Sequence, residues 1–344
     1  MRRPRTKWGD MRVFARAGRC FILLAACLTI LALPVAHAAE LGTLKHYKLP
    51  TSTDPHQATT ASDGNVWFTV QGAFSEETFQ TPGQVARVTP RGDITEFDVC
   101  DSCITNDIVE GPDGILYISD NGGHLRRITT SGDLVSSVPV GGEVFGDPLG
   151  GVAADSTSIW FADPFNGRIG RYTISTGEFA FYPAAGVDDL AVAADGTVWF
   201  TGSNEIGELD PALGVVSTTP LSGEGRGIAI APNGTVWVTE IFADLIARLT
   251  PSASAPHQLA EFPTAENAAP LGIAAADDNS VWFTQNLRGN IARITPDGVI
   301  TEASRPVDFS DKKRPDPVGI TIDADGNPWY AESAVDNVAT LMLK

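Results

Sequence analysis

Two positions recur along this chain in residue types that can do chemistry. The first lies three residues past a repeated aromatic and holds Val70, Asp120, Asp163, Gly202, Glu240, Gln285 and Glu332. Four of these seven are carboxylates. Oxygen donors of that kind, gathered in one place, bind Mg²⁺ or Ca²⁺, so Glu240, Glu332, Asp163 and Asp120 are the candidate metal ligands. The plain alternative is a set of solvated acids at loop ends. The second position is the middle of a recurrent P-x-G phrase and holds His56, Asn106, Leu149, Asp188, Arg226, Leu271 and Val318. Within Asp54-Pro55-His56, the imidazole is the candidate for proton transfer, because it titrates near neutral pH; a histidine beside a turn also has a purely structural reading. Asp54, Asp188, Arg226 and Gln285 are candidate ligand-binding residues, and Asp189 adds a carboxylate beside Asp188. Arg226 suits a ligand carbonyl or carboxylate, or else a salt bridge to Glu224 or Asp189.

These positions work together only if the chain brings them together, and a repeat says that it does. Trp67, Trp160, Trp199, Trp237, Trp282 and Trp329 sit in one short phrase, and Tyr117 fills the same place in a seventh copy. The copies are roughly forty to fifty residues apart, the spacing of solenoids and propellers. In the sixth copy, Pro270 to Ala276, Ser280 to Thr284, Asn290 to Thr295 and Val299 to Glu302 are short apolar or β-branched runs between Asx, Gly and Pro turns. Such runs are strands. Four antiparallel strands, seven times over, predict an all-β fold, a seven-bladed β-propeller. The seventh copy stops after its third strand, and Thr43 to Pro50 resembles a fourth. The N-terminal strand is therefore expected to complete the last blade and close the ring, giving one domain over 39–344. Strand one runs away from one face and strand two returns to it. The two recurrent positions, here the strand-one slot and the strand-two slot, should then share a central mouth.

The wording of the repeat is itself informative. Gly227-Ile228 leading to Trp237-Val238-Thr239-Glu240, and Gly167-Arg168-Ile169-Gly170-Arg171, resemble the repeat of the streptogramin B lyase (virginiamycin B lyase-like) family of seven-bladed propellers. The resemblance covers essentially the whole chain after residue 38. It implies elimination across a C–O ester bond that opens a cyclic depsipeptide, with a histidine in the strand-one slot moving the proton and glutamate-held Mg²⁺ stabilising the enolate. This chain departs from that pattern. Only blade one keeps a histidine in the slot, His56, and its strand-two slot is Val70; the later blades carry Arg226, Leu271 and Val318. Three functions follow as expectations: a metal-assisted C–O lyase, a binding propeller without the chemistry, or a metal-dependent lactonase.

Composition narrows the partners. A basic stretch, an apolar run from Phe21 to Val35 and Ala36-His37-Ala38 read as an export signal over 1–38, cleaved before Ala39. This places the protein in the periplasm or the medium. The remainder has 17 basic and 41 acidic residues, a charge of −24. Such a surface repels nucleic acid and anionic membranes and leaves a small-molecule or cyclic-peptide ligand as the expected partner of a monomer. Cys100 and Cys103, spaced C-x-x-C without a βαβ context, read as a local disulfide. The loop from Gln71 to Gly83 is long and acidic, and reads as a lid or as a tolerated insertion.

Overall fold

Aromatic and β-branched residues between tight turns fold here as short antiparallel strands, four to a blade. The computed structural model describes residues 36–38, 41–51, 54–71, 82–140, 147–253, 256–303 and 314–344. The first strands of the seven blades are Pro55–Thr60, Thr105–Glu110, Val152–Ala154, Leu190–Val192, Gly225–Ile230, Pro270–Ala275 and Pro317–Ile322. Each touches the next, and Pro317–Ile322 touches Pro55–Thr60, so the inner ring is closed. Among the described residues only two single 3₁₀ turns interrupt the strands, and no helix is long and apolar enough to cross a membrane.

The seventh blade is built from both ends of the propeller. Gly42–Lys48 pairs antiparallel with Asn337–Leu343, from Gly42 opposite Leu343 to Lys48 opposite Asn337. This pairing consumes two edges that would otherwise lie open. A short strand, Ala36–Ala38, runs parallel to Ile300–Ala303 on the outer edge of blade six. Most of the export-signal reading, residues 1–35, lies outside the described residues, as do residues 72–81 of the long loop.

The core is seven separate wedges rather than one centre. Side chains of a strand alternate between its two faces, and in a propeller those faces are the neighbouring blades. Trp67 packs forward against Ile108 and Leu116 of blade two. The next residue, Phe68, packs backward against Trp329 and Val338 of blade seven. The same division recurs at Trp237, which packs against Ile273 and Phe283, and at Trp199, which packs against Ile228 and Val238. The recurrent third-strand arginines lie over these rings: Arg87 over Trp67 at 5.8 Å, Arg171 over Trp160 at 5.3 Å, Arg248 over Trp237 at 5.7 Å. Arg87 and Arg248 also donate to turn carbonyls of the next blade, Thr130 and Pro296.

Hydroxyl groups tie the inner ring together. Thr239 Oγ1 accepts the Gly227 N–H at 2.9 Å and donates to the Leu271 carbonyl of blade six at 2.7 Å. Thr69, Ser119, Thr201 and Thr284 make the same two bonds in their blades. Blades three and seven carry Ala162 and Ala331 there and lack the clasp. Close approach of the inner strands explains the glycine of P-x-G. A Cβ on Gly272 would collide with the Val318 carbonyl oxygen, and one on Gly319 with that of His56. Cys100 and Cys103 form a disulfide at the end of the outer strand of blade one, with Cα atoms 6.0 Å apart.

Candidate functional site at the channel mouth

A cavity of about 370 Å³ opens where the seven strand-one slots meet, and His56, Asn106, Leu149, Asp188, Arg226, Leu271 and Val318 all line it. In blades one, two, five, six and seven the ladder slips at this point, between Pro55 and Ala58 for example. A bulge of this kind turns side chains out of the sheet, here toward the axis. One part of the wall is polar, with Asn106, Asp107, Asp188, Asp189 and Arg226; Leu271, Ile273, Val318 and Ile320 make an apolar stretch.

His56 meets the Asn106 backbone with its ring, and burial holds its pKa below the ordinary histidine value, against the charge of Asp54 and that hydrogen bond. Nδ1 is screened from solvent and has no partner. A neutral imidazole whose other nitrogen is engaged keeps a lone pair on Nδ1. Asp54 does not line the cavity. It sits in a left-handed conformation at φ 42° and acts on His56 through its charge alone. Across the mouth, Arg226 Nη1 is 3.1 Å from Asp188 Oδ2, and Nη2 is 2.8 Å from Glu224 Oε1; its buried Nε has no partner.

Sequence reasoning missed Asp107 altogether and gave Asp189 only a passing role. Both stand where other blades have the glycine of P-x-G, and that substitution was the available signal. Asp107 accepts the Ile108 N–H at 2.8 Å and, across the blade boundary, the Val152 N–H at 2.7 Å. Asp189 accepts from Leu190 at 2.8 Å and from Ile228 of blade five at 3.2 Å. Burial pushes Asp107 up to about 6. Burial, then the charge of Asp107, raises Asp189 well above the usual carboxylate range.

The strand-two residues go elsewhere. None of Asp120, Asp163, Glu240, Gln285 and Glu332 lines the cavity, and all are 0–1 % exposed. The alternation that sends Trp67 forward and Phe68 backward sends every second-strand side chain toward a neighbouring blade, not the axis. Asp120 is bonded to Arg126 at 2.7 Å and to the amides of Gly122 and His124. Asp163 is bonded to Arg168 at 2.7 Å and to Asn166. Glu332 meets His46 Nδ1 at 3.0 Å, Gln285 donates to Glu302 at 3.1 Å, and Glu240 accepts the Gly223 N–H. Among the described residues no group of three or more His, Cys, Asp or Glu is arranged to hold a metal ion. The four expected ligands do not converge on one point and are already committed to local donors. The donor set does not fit Mg²⁺ or Ca²⁺ as the resemblance implies.

Solved structures share the architecture. A streptogramin B lyase superposes with a TM-score of 0.76 at 24% identity, covering 88% of this chain and 98% of its own. A catalytically inactive histidine-to-alanine variant of virginiamycin B lyase from Staphylococcus aureus, with quinupristin, gives 0.75 at 24%, covering 88% and 99%. A chain of the mitotic checkpoint complex gives 0.69 at 12%, covering 91% and 98%, so likeness at this level speaks for the fold alone. No curated protein sequence matches significantly. The sequence matches the virginiamycin B lyase family over residues 32–225 and again over 178–344. The chain belongs to the virginiamycin B lyase family.

Proposed function

We propose that the protein opens a cyclic ester or depsipeptide by eliminating a C–O bond at the channel mouth. The observation that supports this reading is that His56, which burial holds below the ordinary histidine pKa, and Arg226 line one cavity. The His56 imidazole, on the cavity wall, takes the proton from the carbon beside a carbonyl. The electron pair becomes a C=C bond, the β C–O bond breaks, and the ester oxygen leaves with its acyl group as a carboxylate. Arg226 meets the charge that develops on the carbonyl oxygen, a place where a fixed cation is effective. The donor geometry gives no reason to route a step through a divalent cation. The quinupristin complex of a solved relative supplies the ligand class. The same reading has residues 1–38 removed and a monomeric protein in the periplasm or the medium, its N-terminus at Ala39.

A second reading, binding without turnover, is favoured by one observation. Both arms of Arg226 are already held, by Asp188 and Glu224. Incubation with a streptogramin B, followed by chromatography with mass detection, separates the two. A shifted product of equal mass is the expected result, lost in His56→Ala. A product heavier by one water would mean hydrolysis and a lactonase. Unchanged substrate that still raises the melting temperature would establish binding alone, and unchanged substrate with no shift would overturn the ligand class.

A further inference from the structure

The strand-two acids obey a rule that metal ligation does not explain. In blades five, six and seven this residue reaches diagonally over the third strand to the fourth. It crosses a position reduced to alanine, Ala247, Ala292 or Ala339, each directly opposite the fourth-strand partner. In blade six Gln285 Nε2 donates to Glu302 Oε1 at 3.1 Å. In blade seven His46 Nδ1 lies 3.0 Å from Glu332, and that hydrogen bond raises the imidazole above its ordinary pKa. Each pair therefore holds one hydrogen between an acceptor and a donor.

Blade five places two carboxyls, Glu240 and Glu261, in this arrangement, with Glu261 opposite Ala247 as Glu302 is opposite Ala292. Glu240 is fully buried, and its Oε1 has no partner as an acceptor. Among the described residues no Lys, Arg or His forms an ion pair with it. Leu245 and Ala247 face it from the third strand and Gly225 from the first. In the adjoining loops Glu224 is bound by Arg226, and Asp244 by the amides of Asn267 and Ala269. Two bare carboxylates cannot share such a place. One proton between them makes the pair a copy of Gln285–Glu302, with a carboxyl O–H in place of the amide N–H.

We propose that Glu240 and Glu261 hold one proton between them and form a clasp that positions Arg226, in place of a divalent-cation site. Glu240 Oε2 accepts the Gly223 N–H. Glu261 accepts the Ser222 N–H at 2.9 Å and its hydroxyl at 2.7 Å. These bonds fix the segment that carries Arg226 into the cavity three residues later. Burial, then the charge of Glu261, pushes Glu240 up to about 7, so the clasp opens on the alkaline side. The positioning of Arg226 matters to the extent that the proposed function holds; the clasp itself does not depend on it.

Glu240→Gln gives blade five the residue that blade six already has. Melting temperatures of the wild type, Glu240→Gln and Glu261→Gln from pH 5 to 9, with and without Mg²⁺ or Ca²⁺, test the proposal without any substrate. The expected result is near-equal melting at pH 5–6. Above pH 8 at least one glutamine variant melts about 1–2 °C higher than the wild type, the scale of a kilocalorie in a chain of this length, and neither metal has an effect. Profiles in which both variants follow the wild type through pH 7 would overturn the shared proton. A rise in wild-type melting with Mg²⁺ or Ca²⁺ that Glu240→Gln abolishes would overturn the clasp in favour of a cation site.

Discussion

Asp107 and Asp189 occupy the position that four other blades give to glycine, and their environment makes them titrate far from where aspartates ordinarily do. Both border blade three: a Cβ on Gly151 would collide with Asp189, and Asp107 accepts the N–H of Val152 beside it. The fold favours their protonated forms. Their contribution to stability is complete below the ordinary carboxylate pKa of about 4. It is lost as pH rises through the folded value, about 6 for Asp107, and through the raised value of Asp189. His56, held below its ordinary value, acts in the opposite sense, and its contribution is lost as pH falls. Urea melts of Asp189→Asn against the wild type should therefore show the variant gaining relative stability steadily from pH 5 to pH 8. A constant difference across that range would mean that Asp189 carries its charge when folded. His56, Asp188 and Arg226 were legible in the sequence because a constant spacing to the recurrent aromatic (Trp67, Trp199, Trp237) marks the strand-one slot whatever fills it. Asp107 was overlooked because an acid in a glycine position looks like an interrupted motif until the bulge shows which way it points.

At the scale of the strand, the inner ring is held by peptide groups rather than by side-chain bulk. The hydroxyl of Thr239 serves an amide of its own blade and a carbonyl of the next, and valine has the same shape without either capacity. Thr239→Val should destabilise the protein by about 1–3 kcal/mol, the cost of leaving buried backbone groups unpaired. The same change at Ala162, where no clasp exists, should act through packing alone and leave amide exchange at the blade-five boundary untouched. Hydrogen exchange at Gly227 distinguishes the cases: faster exchange only in Thr239→Val is expected. Gly272→Ala should cost about 1–3 kcal/mol by forcing blades six and seven apart. The strand pattern, four per copy, was readable from period and turn residues. The direction of the strand-two acids was not, because sequence spacing places them at the mouth end of the blade while pleating decides that they face sideways.

At the scale of the molecule, the ring depends on one pairing between residues far apart in sequence. His46 and Glu332, which meet in it, are separated by 286 positions. Deleting Gly42–Lys48 should expose the edge at Asn337–Leu343 and open the contact between Pro317–Ile322 and Pro55–Thr60. The expected signs are a lower melting temperature and concentration-dependent association, read by light scattering. A monomer that melts like the full chain would show that the seven wedges close the ring unaided. The closure was foreseeable because the last copy is one strand short and an unattached strand with fourth-strand wording precedes the first copy.

That pairing also sets an order of events. Gly42–Lys48 leaves the ribosome long before its partner exists, and a strand with both edges bare is a target for any other unpaired strand. Lys45 and Lys48 guard it in the meantime, since charge on an edge discourages misplaced pairing. The other blades contain all four of their strands within one stretch of chain, whereas the seventh must wait for the final residues. Completion of the ring is thus a long-range step, and the channel mouth, which needs every blade in place, is whole only once that pairing is made.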